Sequence, residues 1–117
     1  MKAYWARFFE EADGSYSVDV PDMPGCLTYG DSFEDAYRYL VDEAMPLWLE
    51  GRDNPPASGP GAVLAAPAYD GAPRPLLVRV AGGEAPEALA QALAQAAQSD
   101  LLSKAAREYL ARHQNHD

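Results

Sequence analysis

Apolar and polar positions first alternate with a period of two. Tyr4, Ala6 and Phe8 alternate with Trp5, Arg7 and Phe9, so the pattern predicts a strand with one strongly apolar face and one mixed face. Glu10 to Ser15 is polar, and Asp13-Gly14 is a hairpin signal, because such turns need positive φ. Tyr16, Val18 and Val20 then share one face, with Ser17 and Asp19 on the other. On a third strand, Leu27 and Tyr29 are expected to continue the apolar face, with Cys26, Thr28 and Gly30 opposite. The pattern predicts three antiparallel strands with one face that needs cover.

From Ser32 the period changes to three and four. Phe33, Ala36, Tyr37, Leu40, Val41, Ala44, Leu47 and Trp48 form a broad stripe, which predicts an amphipathic helix over Ser32–Glu50 as the cover. Ser32 followed three residues later by Asp35 reads as a capping box, and Gly51 suits the position just past the helix end. Pro46 lies inside the stripe and predicts a kink or a loosened last turn.

Residues 51–75 hold six of the ten prolines and read as a long connection, with Ala62 to Ala66 as a short apolar patch. Leu76, Val78 and Val80 share a face, which predicts a fourth strand returning to the sheet. After Gly82-Gly83, Pro86 suits a first helical position, and Leu89, Ala92, Leu93 and Ala96 fall on one face. Ser99 suits the cap of a second helix carrying Leu102, Ala105, Ala106, Tyr109 and Leu110. No Gly or Pro interrupts residues 91–117, so one long helix and two shorter ones both fit. The predicted division is an α+β domain over 1–81, containing the 51–75 connection, and a helical tail over 82–117. The tail's stripe is thin and mostly alanine, so it calls for the domain or a second copy to pack against.

Length and charge narrow this picture. The 117 residues suit one compact domain plus a small appendage. The net charge of −9 is uneven, with −8 in residues 1–50 and −1 beyond them. An acidic first half repels nucleic acid and attracts a basic partner, although acidity also serves solubility alone. No apolar run reaches the roughly 18 residues of a membrane span. The chain enters its first strand pattern at once, unlike a signal peptide. One cysteine rules out an internal disulfide, which fits a cytoplasmic protein.

Candidate chemistry is sparse. Asp13, Asp19, Asp22, Asp31 and Glu34 are the acids that a metal-dependent nuclease would converge on two magnesium ions. Four of the five have plainer local roles: Asp13 in a turn, Asp19 on the outer face of a strand, Asp31 and Glu34 at a helix start where negative charge is favourable. Cys26 has no histidine near it in sequence, since His113 and His116 fall in the last five residues, and it reads as a small buried residue. No catalytic residue, metal ligand or cofactor is expected.

The turn between the second and third strands ties these elements to a known family. Pro21 and Pro24 remove two donors and stop both strands, Gly25 tolerates positive φ, and Gly30 ends the third strand. The run Pro21-Asp22-Met23-Pro24-Gly25-Cys26 follows Tyr4-Trp5-Ala6-Arg7-Phe8 and Asp13-Gly14, and precedes Gly30-Asp31-Ser32-Phe33-Glu34-Asp35-Ala36. Together these resemble the HicB-like antitoxin family, closely over about the first 51 residues and more loosely over Leu76 to Val80.

The resemblance implies an α+β, cut-down ribonuclease-H-like domain without a nuclease site. A three- to four-stranded, mainly antiparallel sheet would be covered by one helix, with a helical C-terminal appendage. It implies no enzyme, but an antitoxin that binds and neutralises a small basic HicA-type toxin that cleaves messenger RNA. A homodimer or higher oligomer, and autorepression of the operon, belong to the same expectation. The acids expected to contact the toxin are Asp19, Asp22, Asp31 and Glu34. A strand followed by two helices also resembles a ribbon–helix–helix DNA-binding module, with Arg74, Arg79, Lys104 and Arg107 as DNA-contact candidates. The usual glycine turn and an arginine near Asp100 are absent, and a dimerising or covering tail fits as well. The alternative reading is a stand-alone HicB-like regulator that acts through DNA or oligomerisation without a toxin.

Overall fold

The computed structural model describes residues 2–82. Whether the tail forms one helix or two, and what it packs against, lies outside these residues. Four strands, β1 (Tyr4–Glu10), β2 (Tyr16–Asp19), β3 (Leu27–Gly30) and β4 (Leu76–Val80), form one sheet in the order β3-β2-β1-β4. All three pairings are antiparallel, with Phe8 opposite Val18, Ala6 opposite Val78, and Val18 opposite Thr28. The β1–β2 turn follows from local chemistry. Gly14 sits at φ +88°, and Asp13 accepts the Ser15 N–H at 2.9 Å and its hydroxyl at 2.5 Å. These bonds from Ser15 hold the Asp13 carboxyl below its ordinary value.

The cover is three short helical pieces in line: α1 (Phe33–Tyr39), a π-helical turn (Leu40–Ala44) and α2 (Met45–Leu49). The predicted cap forms, with Ser32 Oγ accepting the Asp35 N–H at 3.1 Å. Pro46 has no N–H to give, and the turn before it widens so that the Met45 N–H reaches the Leu40 carbonyl. The widened turn shifts the phase of everything after it. Met45 is therefore fully buried, while Leu47 is 72% exposed and leaves the stripe predicted for it.

Under this cover lies the core: Tyr4, Ala6 and Phe8 of β1, Tyr16 and Val18 of β2, and Val78 and Val80 of β4, packed against Phe33, Ala36, Tyr37, Leu40 and Val41. Phe33 stacks on Phe8 at 4.7 Å between ring centroids and meets Tyr16 edge-on at 5.5 Å. Each such buried side chain contributes about 1.5–3 kcal/mol through area removed from water.

On β3 the predicted faces are reversed. Cys26 and Gly30 are buried, whereas Leu27 is 68% and Tyr29 53% exposed. The cause is the close approach of α1. A Cβ at Gly30 would lie 2.3 Å from the Ala36 nitrogen and 2.7 Å from its Cα, so the helix rests on bare β3 backbone. Small residues must face it, and the register of Thr28 with Val18 turns Leu27 and Tyr29 outward.

The expectation of a single covered face is also corrected. The 51–75 connection crosses the second face and includes a short helix, α3 (Pro60–Ala65), which buries Val63. Arg7, Phe9 and Leu77 on that face are buried as well.

Candidate functional site

The turn between β2 and β3 is a compact plug. The Met23 N–H bonds to the Val20 carbonyl at 2.8 Å, the Cys26 N–H to the Met23 carbonyl at 2.9 Å, and the Val20 N–H to the Cys26 carbonyl at 3.3 Å. Pro21 and Pro24 flank Met23, whose side chain is fully buried, and Gly25 takes φ +88°. Bonds from distant residues hold this corner and the connection beside it. Trp48 Nε1 donates to the Pro24 carbonyl at 2.8 Å, and Tyr4 donates its hydroxyl to the Pro55 carbonyl at 2.7 Å. Asp22 accepts the Ser58 N–H at 2.8 Å and the Ser58 hydroxyl at 2.6 Å. Burial, with the Asp22 charge adding to it, holds the Tyr4 hydroxyl above its ordinary pKa.

Beside the plug, Arg7 is 2% exposed and paired with Asp19. Its Nε and Nη2 donate to the two Asp19 carboxylate oxygens at 2.8 and 2.6 Å, a bidentate pair. Nη1 and Nη2 also donate to the carbonyls of Ala66 and Pro67 at 2.7 and 3.0 Å. The arginine thus staples the connection to the second face of the sheet.

The predicted site residues now separate. Asp19 and Asp22 are half-buried and engaged in these internal bonds, which corrects the expectation that both are freely exposed. Asp31 is exposed and accepts the Tyr29 hydroxyl at 3.2 Å. Glu34 is half-exposed and bridges to Arg38 one turn along at 3.0 Å. Asp35, Asp42 and Glu43 lie exposed on the outer surface of α1 and the π turn. These three were not among the acids chosen on charge and expected exposure, although their positions off the apolar stripe signalled an exposed face. Arg74 is exposed in the approach to β4, and Arg79 is exposed on β4, which is paired with β1 within the sheet. Lys104 and Arg107 lie outside the described residues.

Pro21, Asp22, Pro24, Gly25, Cys26 and Gly30 have structural work in the plug and at the helix–strand contact. The Cys26 thiol is pushed above its ordinary pKa by burial, with the Asp19 charge adding to it, so it is a poor nucleophile. Among the described residues, no group of three His, Cys, Asp or Glu is placed to hold a metal ion. Two shallow clefts flank Gly25-Cys26-Leu27. One, of about 210 Å³, is bounded by Arg7, Asp19 and Pro67, and the other, of about 290 Å³, by Ala44, Leu47, Trp48 and Arg52. The arrangement offers a surface of exposed acids, exposed Leu27 and Tyr29, and shallow apolar relief, which suits contact with another protein. No helix among the described residues is long and apolar enough to cross a membrane.

Comparison with known proteins agrees with this geometry. Among solved structures, the N-terminal domain of the Burkholderia pseudomallei antitoxin HicB superposes with a TM-score of 0.52 at 25% identity, covering 71% of this chain and 100% of that one. The B. pseudomallei antitoxin HicB itself gives a TM-score of 0.50 at 20% identity, a likeness of fold, covering 97% of this chain and 96% of that one. No curated protein matches. Residues 4–81 match the family described as the HicB-like antitoxin of bacterial toxin–antitoxin systems. The chain belongs to the HicB-like antitoxin family.

Proposed function

We propose that this protein is an antitoxin that binds a small basic HicA-type toxin and blocks its cleavage of messenger RNA. Family membership supplies the class. The observation that carries the partner's chemistry is the run of acids from Asp31, just past β3, through Glu34, Asp35, Asp42 and Glu43 on α1 and the π turn, where Arg38 is the one basic residue between positions 31 and 43. Neutralisation on this reading is occlusion. The acidic surface steers a cationic RNA-binding face into contact and then covers it.

Asp31 and Glu34 therefore remain contact candidates, while Asp19 and Asp22 act by holding the surface in shape. Stopped-flow association with a HicA-type toxin tests this. Charge reversal at Asp31, Glu34, Asp35 and Asp42 should slow association by about tenfold or more at low salt and flatten its salt dependence. Unchanged rates in the reversed variant would move the interface elsewhere. Residues 82–117, with Lys104 and Arg107, are assigned on this reading to oligomerisation and operator binding, supported by the order of a strand followed by apolar-striped segments. A gel-shift with the operon's own promoter DNA tests that assignment.

A further inference from the structure

Among the described residues the sheet ends at β3 on one side, and the pattern of its ladder fixes what that edge presents. The Val20 N–H bonds to the Cys26 carbonyl, so this pair is a hydrogen-bonded one. Along an antiparallel ladder such pairs recur at every second residue, so Thr28 bonds to Val18 and Gly30 to Tyr16. The residues between them, Leu27 and Tyr29, aim both N–H and C=O away from β2, along an edge that no other described strand pairs with. Their side chains are 68% and 53% exposed, on the face away from α1. One short segment thus offers two donors, two acceptors and two large apolar side chains. Edges are blunted by shortness, lysine, proline or a bulge, and β3 is short but carries no lysine, proline or bulge within its four residues.

We infer that this edge receives an extended segment of the basic partner, which adds to β3 as a fifth strand. The inference rests on the antitoxin reading given above. Charge selects the occupant. Exposed Asp31 stands at one end of β3, and residues 2–82 carry thirteen acids against six basic groups. A second copy would bring like charge to the edge, whereas a cationic segment would find complementary charge. Main-chain bonds to Leu27 and Tyr29 would hold the strand. Its apolar side chains would lie against the Leu27 and Tyr29 side chains, and a lysine or arginine at its end would meet Asp31.

Amide hydrogen exchange on the full chain, alone and with a HicA-type toxin, reads this directly. In the free chain the Leu27 and Tyr29 amides exchange fast, while the Thr28 amide, bonded within the ladder, exchanges slowly. Toxin should slow the Leu27 and Tyr29 amides by about tenfold or more. Leu27→Pro and Tyr29→Pro each delete an outward N–H together with the exposed side chain beside it, and neither removes an N–H of the ladder to β2, as the Thr28 amide reports. Each variant should weaken toxin binding by about tenfold or more.

The inference is overturned if toxin binds and the two amides stay fast, or if proline variants with a protected Thr28 amide bind as tightly as the parent. In both cases the antitoxin reading stands. Protection that rises with chain concentration in the absence of toxin would assign the edge to a second copy and also overturn the inference. Should a proline variant lose Thr28 protection, the exchange result on the parent decides. Failure of the parent to bind toxin at all removes the antitoxin reading, and this inference with it.

Discussion

The two faces of the sheet are covered by different kinds of chain. The first is covered by α1, the π turn and α2, whose side chains interdigitate with alternating residues of the strands. The second is covered by the 51–75 connection, which contributes Val63 and two backbone carbonyls and depends on one buried arginine. The first face rests on shape and apolar area, which are spread over many residues. The second rests on a few polar bonds, each of which is hard to replace once buried. Damage should therefore be graded on the first face and concentrated on the second.

Gly30→Ala is expected to have the largest effect. It forces a Cβ into the Ala36 backbone, which can be relieved only by parting α1 from β3. Denaturant unfolding should show a loss of about 4 kcal/mol or more. A loss under about 1 kcal/mol would mean that α1 is less tightly seated than the close approach implies.

Arg7→Leu comes next. It leaves Asp19 and the Ala66 and Pro67 carbonyls without their donor, at about 3 kcal/mol. Adding Asp19→Leu should recover much of that loss, because an apolar pair relieves the stranded carboxylate. A double mutant no more stable than Arg7→Leu would show that the carbonyl bonds, and not the ion pair, fasten the second face.

Asp22→Ala removes both bonds to Ser58 and should lower stability by about 1–2 kcal/mol, with faster amide exchange at Ser58. The smallest effect is at Tyr69, which donates its hydroxyl to Glu11 and meets Phe9 edge-on at 5.4 Å. Burial first, and then the Glu11 hydrogen bond and charge, push its pKa from 10.0 up to about 12. The folded value is the raised one, so the added stability is complete below pH 10 and fades as pH rises through about 12. Unfolding midpoints of the parent and Tyr69→Phe should differ slightly at neutral pH, and the parent's should fall relative to the variant's as pH rises through that alkaline window.

The same contrast explains what could be read from the chain. The first face was legible where its determinants were local: alternation in Tyr4–Phe8 and Tyr16–Val20, the Ser32 cap, the Asp13-Gly14 turn and the return of Leu76–Val80. It failed in two places. Pro46 signalled a kink, but periodicity could not say that an extra residue in the preceding turn would bury Met45 and expose Leu47. Alternation placed Leu27 and Tyr29 inside, because nothing local records that α1 would rest on the backbone of Gly30. The second face was largely illegible. Arg7 and Asp19 are twelve positions apart and meet only through strand pairing, and the carbonyls that complete the arginine's shell have no sequence signature. For the candidate site, charge singled out four acids, and pairing across the fold, which charge does not record, removed Asp19 and Asp22 from the free ones.

The most direct test is an RNA-cleavage assay with a HicA-type toxin and increasing amounts of this protein. The account predicts that cleavage falls in proportion to added chain and is abolished at a stoichiometric ratio. Undiminished cleavage in the presence of a large excess of folded protein would contradict it.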